Sequence, residues 1–434
     1  MSNLSPRNFS INPSTTELCR VVVILVILAA ASTMALAQAG QLDPTFATNG
    51  IFSDAINGGG FATAVALQSN GQIVVGGQVG GQSGAEGGVI RLNTNGTLDT
   101  TFGTKGVVTI QFADIEGVVT GMAIQSNGQI LVVGTGLGSG GSIVRLNTNG
   151  LIDTSFGTNG VVTLNNSPGV LGLQPNGEIL VTELLPGTTV SVTQVMQLYQ
   201  SNGQLDTTFG TGGTAPLVGV VAPSAITLQT NGQIVISTPA FATGGPGSVA
   251  RYNADGSLDT TFGILGQAST IEGAATVALQ ANGSILLVGT TTGELSLSGN
   301  STGFGVARLS SKGKVDPTFG THGGAITTFP NANTSGATSL VIQPNGEIVV
   351  GGAEGNTADY GTKLTQSFAL ARYLTSGKLD TTFGTGGLVT TSAGFSIGAL
   401  ALQSDGKILA VGGTLFPNSN GPDGNLVAAR YLGQ

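Results

Sequence analysis

The signature Leu-Asp-Thr-Thr-Phe-Gly, or a close variant, returns seven times along the chain, and no other feature restricts the fold as tightly. Its Asp falls at Asp43, Asp99, Asp153, Asp206, Asp259, Asp316 and Asp380, with successive spacings of 56, 54, 53, 53, 57 and 64 residues. Two further landmarks keep step with it. One is an Asn-Gly or Asp-Gly pair between apolar runs, as in ALQSNGQIVVGG from Ala66 to Gly77, with counterparts at Gly128, Gly177, Gly232, Gly283, Gly346 and Gly406. The other is a short apolar run ending in Arg then Leu or Tyr, at Arg91, Arg145, Arg251, Arg308, Arg372 and Arg430, with Gln197 read at that place in the third unit. A fixed period of this length means that one supersecondary unit is copied and that each copy buries its faces against its neighbours.

An Asn-Gly pair between two β-prone runs is the strongest short-range signal for a hairpin. VIRLNTNG adds another strand and turn, and GVVT after the repeated signature adds one more, giving about four short strands per unit. Strands joined by such tight turns are antiparallel neighbours. Their apolar runs are nearly continuous, so both faces of each small sheet are expected to be covered. The fold predicted is all-β, a seven-bladed β-propeller of four-stranded antiparallel blades, with a β-solenoid as the alternative. Repeat units start near residues 42, 98, 152, 205, 258, 315 and 379. LDPTF (Leu42–Phe46) opens the first, and AARYLGQ ends the last where another opening would fall, as ring closure requires.

Composition agrees with packed β structure. Gly accounts for 72 of 434 residues and only 8% are charged, yet 40% are hydrophobic, too many for a disordered chain. Residues 1–37 read differently: Arg7 and Arg20 precede the apolar run Val21–Ala31, and Ala35-Leu36-Ala37 has the small-x-small form of a cleavage site. We expect a signal peptide cut after Ala37, then a single propeller over 38–434, placing the exported protein in the extracellular space or the periplasm. The alternative is an uncleaved anchor, because Val21–Ala37 lies at the lower edge of spanning length. Beyond Ala37 there is no cysteine and no second stretch long enough to span a bilayer, and 12 basic residues face 21 acidic ones. That balance disfavours nucleic acid and anionic membrane surfaces as partners.

The units resemble the delta-60 repeat family in LDTTFGTGG (Leu205–Gly213) and ALQSDGKILAVGG (Ala401–Gly413), and the resemblance covers nearly all of residues 41–434. It implies an exported bacterial repeat protein with a propeller-like fold and brings no activity with it. Ala47 in place of Gly, the variant IDTSFG (Ile152–Gly157) and Gln197 depart from the pattern.

An Asp followed at two or three residues by free N–H groups is a turn or helix cap. The repeated Asp and Arg are therefore expected to be structural, paired within a blade or across a blade junction, and the repeated Phe to wedge between blades. Chemistry is sparse elsewhere. His322 is the sole histidine and lacks companions for a metal site or triad. There is no Trp, which weakens sugar-platform and quinone-pocket roles. Asp114 and Glu116 could form a hydrolytic pair, and Asn418–Asn425 has oxygen ligands at calcium-like spacing without the closing Glu; both read more simply as loops. No metal and no cofactor are expected.

Binding candidates are therefore sought in the variable inserts, above all Glu354, Asp359, Tyr360 and Lys363, and Asp423 in the last unit. The function expected is an exported, monomeric, non-enzymatic scaffold that binds an extracellular or envelope protein or glycan through loops on one rim. The alternative is an extracellular polysaccharide hydrolase or lyase using loop carboxylates around the central channel. The exported chain should begin at Gln38, as its intact mass will show; a mass that retains Met1 overturns the cleavage.

Overall fold

A computed structural model describes residues 38–434 except 82–83, 113–116, 137–139, 186–192, 221, 240–246, 270–273, 292–301, 331, 358–363 and 415–423. Its strands fall into seven separate sheets of four, all antiparallel. A first strand, β1 (Ile51–Asp54), belongs to the last sheet and is taken up with it. Blade 1 is β2 (Gly60–Leu67), β3 (Ile73–Gly81), β4 (Gly84–Leu92) and β5 (Val107–Ile110). Blade 2 is β6 (Gly117–Ile124), β7 (Ile130–Gly136), β8 (Gly141–Leu146) and β9 (Val161–Leu164). Blade 3 is β10 (Ser167–Leu173), β11 (Ile179–Leu185), β12 (Thr193–Tyr199) and β13 (Thr214–Pro216). Blade 4 is β14 (Ala225–Leu228), β15 (Ile234–Thr238), β16 (Ser248–Tyr252) and β17 (Gln267–Ser269). Blade 5 is β18 (Thr276–Leu279), β19 (Ile285–Thr291), β20 (Gly303–Leu309) and β21 (Gly324–Thr327). Blade 6 is β22 (Thr334–Ile342), β23 (Ile348–Thr357), β24 (Leu364–Tyr373) and β25 (Leu388–Thr391). Blade 7 is β26 (Ser396–Leu402), β27 (Ile408–Gly413) and β28 (Leu426–Tyr431), completed by β1.

The first strand of each blade packs against the first strand of the next, from β2 through β6, β10, β14, β18, β22 and β26 and back to β2. The ring is therefore closed, and these seven strands surround its axis. The solenoid alternative fails on that contact between β26 and β2. Blade and sequence unit are offset by one strand: GVVT pairs with the strand before it, β4, and not with the hairpin after it. The tight turn that carries the repeated Asp joins the third and fourth strands of one blade.

Local chemistry explains the hairpins. In blade 1 the Gln68 N–H donates to the Gln72 carbonyl (2.9 Å) and the Gly71 N–H to the Gln68 carbonyl (2.9 Å), with Gly71 at φ +84°. The β-branched run after it, IVV at Ile73–Val75, is fully buried between blades. The innermost strands of blades 1, 2, 6 and 7 carry β-bulges, which increase twist where the blades crowd the axis. The bulged residue turns towards the next blade: Thr63 Oγ1 donates to the Val119 carbonyl (2.5 Å) and Thr338 Oγ1 to that of Ile397 (2.6 Å). At Gly398, the equivalent position of blade 7, a Cβ would lie 2.3 Å from the Ala62 carbonyl, so no side chain fits.

Closure joins the two ends of the chain. In blade 1 the turn before the signature closes through Gly96 N–H to Asn93 O and Asn93 N–H to Thr97 O. In blade 7 the same turn is made from two pieces, with Gly40 N–H donating to Leu432 O (2.7 Å) and Leu432 N–H to Gln41 O (2.9 Å). β1 then pairs with β28 in register, Ile51 opposite Ala429. Deleting Leu426–Gln434 removes β28 and leaves β27 and β1 without their shared partner. The cooperative thermal transition of the whole ring should be lost; an unchanged melting curve overturns the closed arrangement.

Candidate functional site: the blade seams and the two faces of the ring

Antiparallel order divides the connections between two faces. One face, here the turn face, carries the hairpin turns between first and second strands and the signature loops between third and fourth. The opposite loop face carries the second-to-third connections and the crossings to the next blade.

On the turn face the repeated side chains build one clamp per seam. Asp99 Oδ1 accepts the Thr101 N–H (3.0 Å) and hydroxyl (2.6 Å), which fixes the turn. Its Oδ2 accepts Arg91 Nε at 2.7 Å and Gln72 Nε2 at 2.7 Å. The Arg91 guanidinium also donates from Nη1 to the Thr148 carbonyl of blade 2 and stacks 4.6 Å over the Phe102 ring. Phe102 is fully buried among residues of blades 1 and 2. One side chain thus holds its own turn, its own aromatic wedge and the neighbouring blade.

The arrangement repeats in six seams. Arg145–Asp153, Arg251–Asp259, Arg308–Asp316, Arg372–Asp380 and Arg430–Asp43 pair at 2.7–2.8 Å, and each Arg reaches a carbonyl of the next blade. Arg430–Asp43 joins the ends of the chain, and Lys407 adds a second cation 3.4 Å from Asp43. Burial raises the Asp99 carboxyl pKa, but the Thr101 and Arg91 hydrogen bonds outweigh it and hold the group below the usual range. Gly96 shows how close the seam is: it sits at φ +83°, and a Cβ there would lie 2.7 Å from Phe46 of blade 7.

Blade 3 is the exception, and the structure corrects its register. The residue eight before Asp206, whose carbonyl accepts the Asp206 N–H as Arg91 does for Asp99, is Leu198 and not Gln197. Gln197 lies on the opposite side of β12, where it accepts the Tyr199 hydroxyl at 2.6 Å. Leu198 is buried against Phe209 and blade 4, so Asp206 keeps its Thr208 cap without a guanidinium.

A clamp member absent from the sequence reading is Gln68, with Gln125, Gln229 and Gln343 in the same role. Each is placed with Oε1 3.4–3.5 Å from an Arg Nη1. The signal was available, since Gln precedes the turn pair in all seven units.

Of the proposed binding residues, Glu354 alone falls among the described residues. Glu354 lies at the loop-face end of β23, half-buried, with burial raising its pKa and a Thr390 hydrogen bond opposing this. Asp359, Tyr360, Lys363 and Asp423 lie outside the described residues, as do Asp114 and Glu116. His322 occupies the left-handed position of a signature loop (φ 55°), on the turn face. The innermost strands contain no Asp, Glu, Lys, Arg or His. Two adjoining grooves of about 860 and 820 Å³ near blades 1 and 2 each hold one carboxylate, Glu86 and Asp54 respectively. Among the described residues neither holds the pair that glycoside hydrolysis requires. Among the described residues no group of three or more His, Cys, Asp or Glu could hold a metal ion.

Residues 68–102, 125–156, 229–262, 280–319 and 343–383 match the family model described as a domain of unknown function (DUF5122) beta-propeller. These are beta-propeller repeats. Each matched stretch begins at the Gln before the turn pair and ends at the signature Phe. The two blades without a match are blade 3, which lacks the Arg, and blade 7, whose unit is split between the chain ends. No curated protein matches the chain. Among solved structures it is similar to XC5397, a gluconolactonase of Xanthomonas campestris (14% identity, TM-score 0.33, covering 51% of this chain and 67% of that one). It is also similar to Sqt1 of Chaetomium thermophilum (10% identity, TM-score 0.43, covering 87% and 90%).

Removing one partner of a buried ion pair leaves the other charge uncompensated. Asp99→Ala should therefore cost about 3–5 kcal/mol, more than a lost turn cap alone. Asp206→Ala, which strands no guanidinium, should lower the urea midpoint distinctly less. Equal shifts for the two variants overturn the clamp.

Proposed function

We propose that the ring is an interaction scaffold that recognises a cationic partner through its loop face. The observation that carries this reading is the partition of charge. Beyond Ala37 the turn-face loops and strand ends hold eleven acidic residues against eleven Arg and Lys, and cancel. In sequence, the second-to-third connections, the crossings to the next blade and the adjoining strand ends carry ten Asp and Glu, the buried Glu183 among them, against a single lysine, Lys363. Asp54, Glu86 and Glu354 are its partly or fully exposed acids among the described residues. A field of one sign on one face steers oppositely charged partners and rejects like-charged ones.

The connections on that face also differ most in length and sequence between units, as expected where a rigid scaffold presents recognition loops. The uncharged innermost strands give no support to a hydrolase centred on the channel. We read the repeats as delta-60 in kind and the chain as exported by the segment before Gln38.

Binding of a lysine-rich peptide by the triple variant D54N/E86Q/E354Q should be weaker than wild type, with thermal stability unchanged. Binding should also fall as salt rises through the range where the Debye length drops below about 8 Å. A scaffold that ignores basic peptides, or prefers acidic ones, overturns the reading.

A further inference from the structure

Blade 3 differs from its six neighbours in a second respect. Glu183 is 2% exposed; its carboxylate meets Asn166, whose Nδ2 donates to Oε2 (3.1 Å) and whose backbone N–H also favours the charged form, and its Oε1 has no partner. The same position, the fifth residue of the second strand, is Gly77, Gly134, Gly289, Gly352 and Gly412 in five blades and Thr238 in the sixth. At Gly77, Gly352 and Gly412 a Cβ would lie within 2.0 Å of a backbone carbonyl of the first strand. Blade 3 makes room by a wider irregularity in β10, between Pro168 and Leu171, where the Thr182 hydroxyl accepts the Val170 N–H.

Among the described residues no counter-charge faces this carboxyl. β10, β12 and β13 of the same blade, and β7 and β9 of blade 2, carry no charged residue, and Tyr199 is their sole titratable group. Burial, and then the Glu183 charge, push the Tyr199 hydroxyl upward. Arg145 and Asp153 share this seam but stand at its turn-face end, where they are committed to each other and to Ser201. On its other side, blade 3 meets blade 4 across the seam that has Leu198 in place of a guanidinium.

We propose that blade 3 is the proton-gated element of the ring: it stays packed while Glu183 holds its proton, and loss of that proton loosens β11 and β12. A carboxylate formed there has the donors of one residue, Asn166, and no cation among the described residues, which is the costly condition for a buried charge. Opening the blade rehydrates it, and the unclamped seam with blade 4 resists least. Burial raises the carboxyl above its ordinary value of 4.5, against the opposing Asn166 hydrogen bonds. The contribution of this group to stability is therefore complete below pH 4.5 and is lost as pH rises towards the native value.

Hydrogen exchange of the full chain between pH 5 and pH 8, corrected for intrinsic rates, tests this. In the wild type, protection in 179–185 and 193–199 should fall about tenfold relative to 73–81 and 84–92 of blade 1, a free-energy change of about 1.4 kcal/mol. Glu183→Gln should abolish that pH dependence, and Glu183→Thr, which copies the residue of blade 4, should do the same. A wild-type blade 3 that tracks blade 1, or a pH dependence that survives both substitutions, overturns the proposal.

Discussion

A guanidinium buried between two blades dictates much of its surroundings. Its planar fork needs acceptors at fixed angles, and here it finds an Asp oxygen in its own signature loop and a carbonyl in the next blade, with a Phe ring beneath. Desolvation offsets much of what such a pair gains, so its chief effect is on register. Leu198 illustrates the point: one seam closes with an apolar side chain in the same place and still keeps the backbone bond, Gly210 N–H to Asp255 O at 2.9 Å. That bond recurs in every seam, from Ala47 to Gly384. The backbone defines the spacing between blades, and the Arg removes alternatives to it.

Closing seven such blades requires the last to be finished by the beginning of the chain. Rebuilding an ordinary turn from Leu432–Gly433 and Ala39–Gly40 keeps the clamp intact there, because Arg372 finds the Gly433 carbonyl where other blades offer a residue inside a continuous turn. The extra cation Lys407 on Asp43 lies in the same blade. The position where the chain is interrupted is thus held as firmly as its continuous counterparts.

Most of the fold was legible because repetition multiplies weak signals. A single Asn-Gly turn suggests a hairpin; seven in step with seven Asp residues give the blade count. What escaped the reading depended on spacing or on burial. Gln197 was assigned to the Arg position by its neighbourhood, whereas counting eight residues back from Asp206 gives Leu198. The strand GVVT was attached to the hairpin that follows it, because a sequence does not show that the signature loop folds back on the preceding strand. The clamp glutamines were passed over since Gln is usually solvated. Glu183 sits in an apolar run, ILVTELL, which reads as an ordinary strand. Of the proposed binding residues only Glu354 falls among the described residues, and loops that differ between copies offer no repetition to reason from.

The two faces follow from one economy of charge. Every Arg beyond Ala37 is spent in a clamp, and each clamp needs an Asp, so charges on the turn face must come in near-equal numbers. No such pairing governs the loop face, where connections leave the strands after the cross-blade contacts have been made. In the sequence of those connections acids outnumber cations. A substitution on the turn face disturbs a bonded partner in the next blade, while one on the loop face changes the surface a partner would meet. Blade 3 breaks this division twice, with a Leu where the clamp needs a cation and an acid buried at the loop-face end. That makes it the blade in which stability and surface chemistry are coupled.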